Sequence, residues 1–472
     1  MTVSGTVPSY LNGTYYKAVM FNAIEKNGKV HTSGGLGSVL SVSFTSGQPP
    51  TASFGFVRGN DYKALCYPPP SGPPTGLYAS SGAVTVNSAC GHGRVCAVTA
   101  MPECPALQGG SLDTVEAPEV YAGDSMGKRQ LPFPSFAAPG FFMGAHMPAD
   151  ANGDNYGAAY IHDPAPAFRV FRIKYGTTKR TVFPDIPASP QPGDNGTASA
   201  PSYNHMALAF TPSFLLLPEM PTRMPKMFDW AAIQKSWIED GTFYWRILDK
   251  ATGKPLARYA LPAMWSWHNI NAWENKTHIT VDITWAKNAS ALNGFVQGKF
   301  SSYPGKLARI IMPNPTAPGA PTDGAAAIED LTSMTDARVP TPEFGVVNPA
   351  HMWKRPTRYI WASAAVHKAT PAVFYNTVFR LDTSDGSIAT WSPDGLIPGA
   401  PEFVPAASDQ DPDSAAGAVL VLAIGSTSVA QKPSLVILDG ETHNVVATLT
   451  LPILPLASPG LHNHWSAFPT ST

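Results

Sequence analysis

The sequence has little charge and contains no long apolar run. Asp, Glu, Lys and Arg make up 14% of the 472 residues, against about a quarter in an average soluble protein. The net charge is -1 and no basic tract occurs, so nothing favours binding to nucleic acid. Apolar stretches such as residues 418–424 are far too short to span a bilayer. We therefore expect a soluble chain or one that contacts a membrane only at its surface.

Signals for export and for thiol chemistry are also missing. The N-terminus lacks the positively charged and apolar segments of a signal peptide, so the sequence does not support secretion. Three of the four cysteines, Cys90, Cys96 and Cys104, have spacings that fit neither a CxxC motif nor a zinc finger, which favours ordinary thiols over a metal cluster or a disulfide. We expect the protein in the cytoplasm or at a membrane surface; a plastid location would require a trimmed N-terminus.

Proline and glycine are abundant, with 48 and 40 residues, which indicates many short elements joined by turns. Short runs rich in Val, Ile, Phe, Tyr and Trp recur along the chain and are flanked by Gly, Pro, Asn or Asp, as strands are. Helical periodicity is scarce, and residues 228–237 are the best candidate. The sequence predicts an all-β chain without an obvious linker, folded either as two sandwiches or as one β-propeller.

Polar turns join several of these runs. Residues 249–253 separate the runs 242–248 and 257–261, and residues 382–386 play the same part between 378–382 and 388–391. Both turns are short and have a charged or small tip. We expect both to be outer hairpins of antiparallel sheets.

Four of the twelve histidines lie among apolar, aromatic or small residues, where an imidazole needs a partner: His146, His205, His268 and His462. Their separations are 59, 63 and 194 residues, and the last is close to three further steps of that size. A regular step of this kind suits one propeller blade, with each histidine projecting from an equivalent inner strand. Any one of them alone is equally well explained as a core histidine.

An all-histidine group limits the metals that it would hold. Neutral imidazoles without Cys or Asp suit a borderline divalent metal such as iron(II) or zinc. Structural zinc is usually closed by Cys and His at short spacing, which is not the pattern here. A long-range histidine site that leaves coordination positions open is better suited to binding and activating dioxygen.

The segments around three of these histidines resemble the carotenoid cleavage oxygenase family: residues 204–211, 267–274 and 460–462. Weaker resemblance extends over most of the chain, at residues 7–14, 56–62, 93–98, 342–348 and 402–405. The resemblance implies a single domain over residues 1–472, a seven-bladed β-propeller with loops that form a cap over the metal-bearing face. It also implies one iron(II) per chain, with the ligands His146, His205, His268 and His462.

Members of the family usually place three glutamates behind the ligands, each accepting a distal ring N–H. Glu343 stands at one of these positions, whereas Ala100 and Ala400 stand at the other two. Glu103 lies three residues after Ala100, and Glu402 lies two residues after Ala400. The candidate glutamates of this chain are therefore Glu343, Glu103 and Glu402.

The implied reaction is oxidative cleavage of a conjugated C=C bond by dioxygen into two carbonyl products. Candidate substrate contacts are Tyr62, Phe141, Phe142 and Trp265. Stilbene cleavers of the family are expected to use a Tyr and a Lys on the substrate hydroxyl; Tyr62 matches the first, but Thr99 stands at the second. This favours a carotenoid or apocarotenoid, with a stilbene or phenylpropenoid cleaver as the alternative.

Other functions stay open at this level. Residues 17–20 read Lys-Ala-Val-Met where the family commonly has Arg-Asn-Gly-Pro, and two glutamates are displaced, so a weakened enzyme, an isomerase or a binding propeller are alternatives. A hydrolase or lactonase propeller would need more carboxylates around the histidines. The expected partners are an apolar polyene or alkene and dioxygen, and peripheral contact with a membrane is compatible with the composition.

Overall fold

The computed structural model describes residues 1–20, 23–24, 30–31, 37–56, 85–87, 95–98, 106–107, 114–115, 142–143, 146–175, 177, 180–202, 208–224, 230–292, 305–333, 338–365, 375–406, 411–425, 432–452 and 462–467. These residues are folded almost entirely as β-strands. The helices among them are α1 (Trp230–Lys235), inside the one segment with helical periodicity, and a 3-10 turn at Ala289–Leu292. The prediction of an all-β chain is confirmed.

The strands of the first part of the chain are β1 (Thr2–Gly5), β2 (Gly13–Met20), β3 (Ala23–Ile24), β4 (Val30–His31), β5 (Gly37–Phe44), β6 (Thr51–Phe56), β7 (Thr85–Asn87), β8 (Val95–Val98), β9 (Ala106–Leu107), β10 (Thr114–Val115), β11 (Phe142–Met143), β12 (Asn155–Ile161), β13 (Ala167–Ile173), β14 (Arg180–Val182) and β15 (Ile186–Pro187). Those that follow are β16 (Ala209–Phe210), β17 (Phe214–Glu219), β18 (Thr242–Asp249), β19 (Pro255–Pro262), β20 (Asn269–Glu274), β21 (His278–Ala286), β22 (Gly305–Pro313), β23 (Asp323–Ala325), β24 (Ala327–Asp330), β25 (Glu343–Val346), β26 (Tyr359–Ala364), β27 (Thr377–Asp382), β28 (Ile388–Trp391), β29 (Leu396–Pro405), β30 (Gly417–Gly425), β31 (Ser434–Asp439), β32 (Val445–Thr450) and β33 (Asn463–Ala467).

Within the described residues these strands form seven sheets of four or five strands and one two-stranded ribbon, β3-β4. The seven sheets are β33-β2-β5-β6, β10-β9-β8-β7, β11-β12-β13-β14 with β15, β16-β17-β18-β19-β23, β20-β21-β22-β24, β25-β26-β27-β28 and β29-β30-β31-β32-β1. Most consecutive strands are antiparallel neighbours, as in the blades of a β-propeller. The propeller is therefore the correct choice between the two predicted architectures. The single domain over residues 1–472 and the loop cap stay predictions.

Both predicted hairpins are present and share one turn design. Asp249 and Asp382 end β18 and β27, and in each turn the peptide N–H of the fifth residue donates to the aspartate carbonyl, at 2.8 and 2.9 Å. That fifth residue is Gly253 in one turn and Gly386 in the other, with φ of 70° and 71°. A left-handed backbone is accessible to glycine without steric cost, which explains the residue at these two positions. The turn sequences alone were enough to place these hairpins.

Successive sheets pack face to face through buried apolar side chains. One large cluster joins the sheets that contain β13, β18 and β21; its members include Phe168, Trp245 and Val281. Trp361 of β26 stacks on Phe403 of β29 with the ring centroids 3.9 Å apart and the planes 8° from parallel. The core is therefore distributed between neighbouring blades, which holds their inner strands in fixed relative positions.

The two ends of the chain exchange strands between neighbouring sheets. The N-terminal strand β1 pairs with β32 at the edge of the sheet that begins with β29. The C-terminal strand β33 pairs with β2, and so becomes the first strand of the sheet that contains β5 and β6. These two pairings join the first and last sheets. They also place His462, the residue before β33, next to the first strand of its sheet.

No helix in the described part of the chain is long and apolar enough to cross a membrane. The cysteine segment is described only as the short strands β7, β8 and β9, so the state of the thiols stays a prediction.

Candidate metal centre

Three of the four histidines singled out in the sequence come together. His146, His268 and His462 each offer one ring nitrogen, and these atoms all lie within 4.8 Å of one another. Nε2 of His146 is 2.7 Å from Nε2 of His462, and Nε2 of His268 is 3.3 Å from the same atom. His146 and His268 are 316 and 194 positions from His462 in the sequence, yet all three rings direct their Nε2 atoms toward one point.

His268 is fixed by the end of the neighbouring strand β21. Its peptide N–H donates to Thr284 Oγ1 at 3.1 Å, and its carbonyl accepts from the peptide N–H of Thr284 at 2.9 Å. Three residues earlier, Trp265 and Ala286 exchange two peptide hydrogen bonds of 2.9 and 2.8 Å. The segment before β20 therefore runs along β21, and the His268 ring has little freedom to move.

The other two histidines also lie next to the first strands of their sheets. His146 follows β11 and precedes Pro148, whose carbonyl accepts from the peptide N–H of Tyr156 at 3.1 Å. His462 directly precedes β33, and its carbonyl accepts from the peptide N–H of Ala18 on β2 at 3.2 Å. Because the first strands of the blades surround the central channel of a propeller, side chains at these places converge.

Glu343, the first residue of β25, holds the outer nitrogen of His268. Its Oε2 lies 2.7 Å from His268 Nδ1. Glu343 is 3% exposed, and its carboxylate also accepts a hydrogen bond from the Thr284 hydroxyl. A carboxylate at Nδ1 fixes the tautomer that leaves the Nε2 lone pair free to face a metal, and it makes that nitrogen a better donor.

The distances are close to those expected for nitrogens that share one metal ion. Imidazole nitrogens bind a metal such as zinc at about 2.0–2.1 Å, so neighbouring ligand nitrogens are about 2.9–3.4 Å apart at tetrahedral or octahedral angles. The 3.3 Å separation lies in this range and the 2.7 Å separation lies just below it. A set of neutral imidazoles with a carboxylate behind one of them suits iron, zinc, copper or nickel.

Burial determines the protonation of the His268 and Glu343 pair. Removal from water lowers the pKa of His268 to about 3 and raises the pKa of Glu343 well above its usual value. His268 is thus a neutral imidazole at physiological pH, which is the form that binds a metal. A cation at Nε2 would supply the positive charge that favours the Glu343 carboxylate.

An aromatic surface borders two of the three histidines. The Phe344 ring lies with its centroid 4.9 Å from that of His268 and 5.4 Å from that of His462. Tyr375 meets Phe344 edge to face at 5.3 Å. Phe344 has a φ of 57°, which is uncommon for a residue with a side chain and lies in an irregular part of β25. This conformation turns an apolar ring toward the centre directly after the carboxylate that orients His268.

The candidate Glu402 lies on β29, next to the strand that follows His462. Its carboxylate interacts with the Lys17 amine, the Asn463 side chain and the peptide N–H of Trp465. Burial raises the pKa of Glu402 to about 7 and lowers that of Lys17 to about 7. The role of Glu402 behind a ligand stays a prediction.

His464, two residues after His462, lies opposite Tyr16 in the pairing of β33 with β2. Burial lowers the pKa of His464 to about 4, so this ring is also neutral near pH 7. Of these two neighbouring histidines, only His462 belongs to the converging group in the described part of the chain.

Several predicted site residues lie outside the described residues: His205, Glu103, Tyr62 and Phe141. Phe142 is the first residue of β11, opposite Tyr160 on β12. Trp265 is 0% exposed and packs edge to face on Trp267, with the ring centroids 5.0 Å apart and the ring planes at 73°. Contact of these residues with a substrate stays a prediction.

Sequence reasoning missed Thr284, Phe344 and Asn463. Thr284 is bonded to the backbone of His268, and Phe344 follows Glu343 in the sequence. Neither residue type suggests a metal site. The side chain of Asn463 contacts Lys17 and the main chain at Ala400, both distant in sequence. A signal was present at Lys17, where this chain has lysine and the family commonly has arginine.

The fold and the site together define a class of protein. It is a β-propeller whose inner strands bring together three imidazoles and an orienting carboxylate, a group that could hold a metal. The model of the retinal pigment epithelial membrane protein family matches residues 1–467, and the chain belongs to this family. The resemblance recognised in the sequence is therefore confirmed.

Curated relatives are distant and longer. The chain is 26% identical over 321 residues to carotenoid cleavage dioxygenase 8 homolog A, chloroplastic, of Oryza sativa subsp. japonica, covering 64% of this chain and 52% of that protein. It is 23% identical over 339 residues to torulene dioxygenase of Fusarium fujikuroi, covering 66% and 56%. The chain thus matches about half the length of these relatives.

Solved structures share the fold over nearly the whole chain. Cobalt-substituted Synechocystis apocarotenoid oxygenase superposes with a TM-score of 0.71 at 19% identity, covering 99% of this chain and 95% of that one. Lignostilbene dioxygenase of Pseudomonas brassicacearum superposes with a TM-score of 0.72 at 16% identity, with the same coverage. At these identities the agreement concerns the fold, and it supports the propeller architecture.

Proposed function

We propose that the protein is a non-haem iron(II) dioxygenase that cleaves a conjugated C=C bond of a carotenoid or apocarotenoid into two carbonyl products. The observation that carries this proposal is the convergence of the Nε2 atoms of His146, His268 and His462, with separations down to 2.7 Å. Family membership supports the reaction class, since its curated relatives are named as carotenoid and torulene dioxygenases.

The residues to hold iron are the three converging histidines, with His205 as the fourth ligand. Iron(II) would bind and activate dioxygen at positions that the imidazoles leave open. Both oxygen atoms enter the products, one on each carbon of the cleaved bond, so the reaction balances without an external reductant. The task of the protein is to hold neutral imidazoles in place, and Glu343 performs it for His268.

The surroundings of the centre favour an apolar substrate. Phe344 and Tyr375, both 8% exposed, form an aromatic wall beside His268 and His462. Such a wall binds an unsaturated hydrocarbon through burial of apolar area and keeps bulk water away from the reacting bond. Tyr62, Phe141, Phe142 and Trp265 are the further proposed substrate contacts.

A stilbene is the second candidate substrate, because lignostilbene dioxygenase shares the fold at a TM-score of 0.72. A phenolic substrate would need a polar partner for its hydroxyl. Tyr62 could supply one, but Thr99 replaces the lysine that stilbene cleavers of the family are expected to use. The carotenoid or apocarotenoid is therefore the first choice.

An aerobic product assay tests this proposal. The iron-loaded chain is incubated with an apocarotenal, a full-length carotenoid and a hydroxystilbene, and the products and dioxygen uptake are measured. We expect carbonyl products from one of the two polyenes, with one dioxygen consumed per bond cleaved.

His268→Ala is the matched control, and we expect it to give no product. Cleavage of the hydroxystilbene alone would overturn the substrate class. Isomerisation without dioxygen uptake would overturn the reaction type. Calcium in place of iron in the purified protein would instead support a lactonase-type propeller.

A further inference from the structure

The residue after His462 is held by partners from two other strands. Lys17 Nζ of β2 donates to Asn463 Oδ1. Asn463 Nδ2 donates to the carbonyls of Ala400 and Pro401 on β29, at 3.0 and 2.9 Å. The Asn463 amide thus bridges β2 and β29, which belong to the first and last sheets.

The amine that donates to the Asn463 oxygen is shielded from water. Lys17 is 0% exposed, so its amine cannot exchange Asn463 for water. Glu402 supplies the nearby negative charge, and its carboxylate is held by the peptide N–H of Trp465 on β33. A buried polar network with satisfied members restricts the backbone that carries it, because breaking any member leaves a polar group without a partner.

The bridge holds the first residue of β33, the strand that directly follows His462. Successive side chains of an extended segment point to opposite sides, so Asn463 can be held from behind while His462 faces the centre. The carbonyl of His462 is itself bonded to the peptide N–H of Ala18, the residue after Lys17. The peptide group after the His462 side chain is therefore fixed to β2, and the Asn463 side chain that follows it is fixed to β29.

We propose that Asn463 is a positioning residue for His462: its amide, fastened to Lys17 and to the main chain of β29, sets where the His462 imidazole stands in the metal centre. This inference rests on the proposed metal site. It assigns to Lys17 and Glu402 the task of keeping Asn463 in place.

Cobalt(II) binding to the full chain tests the inference, because a cobalt centre reports its ligands through its visible absorption. Asn463→Ala is titrated with cobalt(II) against a competing chelator and compared with the wild type. We expect the affinity to fall by about 10–100-fold, the usual effect of losing a partner behind a ligand. The visible spectrum should change as well, because the His462 imidazole no longer reaches its position.

Two further variants separate positioning from folding. Ser466→Ala removes a polar group from the same strand and should leave affinity and spectrum as in the wild type. Asn463→Asp has the same shape and keeps an oxygen for Lys17, but it loses the two N–H donations to β29, so an intermediate loss is expected. If Asn463→Ala fails to fold, Asn463→Asp takes its place as the test variant. Urea unfolding of the metal-free proteins measures stability separately.

A folded Asn463→Ala or Asn463→Asp variant with the affinity and spectrum of the wild type would overturn the inference. Weaker binding with an unchanged spectrum would also overturn it, since the ligands would then be intact and only stability would have suffered. If the wild type itself bound no cobalt(II), the proposed metal site would be wrong and the inference would be overturned with it.

Discussion

His462→Ala is expected to lower the metal content from about one ion per chain to none, and to abolish polyene cleavage. The Nε2 of His462 is the atom closest to both other described histidines of the group, at 2.7 and 3.3 Å from their Nε2 atoms, so its removal opens the centre at the C-terminal strand. The remaining imidazoles would be left without a shared position at usual metal distances. Metal analysis of the purified variant and a cleavage assay measure the two losses.

His464→Ala is the matched control, because it removes the same kind of ring two residues away on the same strand. We expect metal affinity to weaken by less than about tenfold, as for a group outside the ligand set. Equal loss from both variants, or a larger loss from His464→Ala, would show that the ligand at the C-terminal strand has been assigned to the wrong histidine.

Glu343→Ala is expected to weaken metal binding by about 10–100-fold, the usual consequence of removing the carboxylate behind a histidine ligand. The Nδ1 of His268 loses its partner at 2.7 Å in a site from which water is largely excluded, since the side chain of His268 is 12% exposed and that of Glu343 4%. The imidazole is then free to rotate or to change tautomer. Chelator competition gives the affinity.

Glu343→Gln keeps the size of the side chain and an oxygen that can accept from Nδ1, so its loss should be the smaller of the two. Glu329→Ala, on the exposed strand β24, is the control and should bind metal as the wild type does. If Glu343→Ala retained full affinity, His268 would have to be held by its backbone contacts to Thr284 alone.

The sequence was sufficient for the parts of the structure that local rules control. Short turns with a charged or small tip, at residues 249–253 and 382–386, placed two hairpins, because turn residues act on the backbone within a few positions. The aromatic surroundings of His146, His268 and His462 identified them as ligand candidates, and the resemblance joined them into one centre. Glu343 followed from its motif, since it stands within a segment that resembles the family.

Contacts between strands that are distant in sequence could not be predicted from local sequence patterns. Lys17 and Asn463 are 446 positions apart, and they meet only because β33 joins β2 when the first and last sheets come together. Glu402 lies beside Lys17 and Asn463 for the same reason, because the first and last sheets come together. Phe344 reaches the centre through an irregular backbone with a positive φ, which a regular strand pattern would not suggest.

The proposed function requires that the converging imidazoles hold iron. Crystals grown with iron(II) under anaerobic conditions and measured at the iron absorption edge test it directly. We expect one anomalous peak per chain at bonding distance from Nε2 of His146, His268 and His462, with His205 as the fourth ligand. An anomalous peak elsewhere in the molecule, or none at this position in a protein that contains iron, would contradict the proposed iron site.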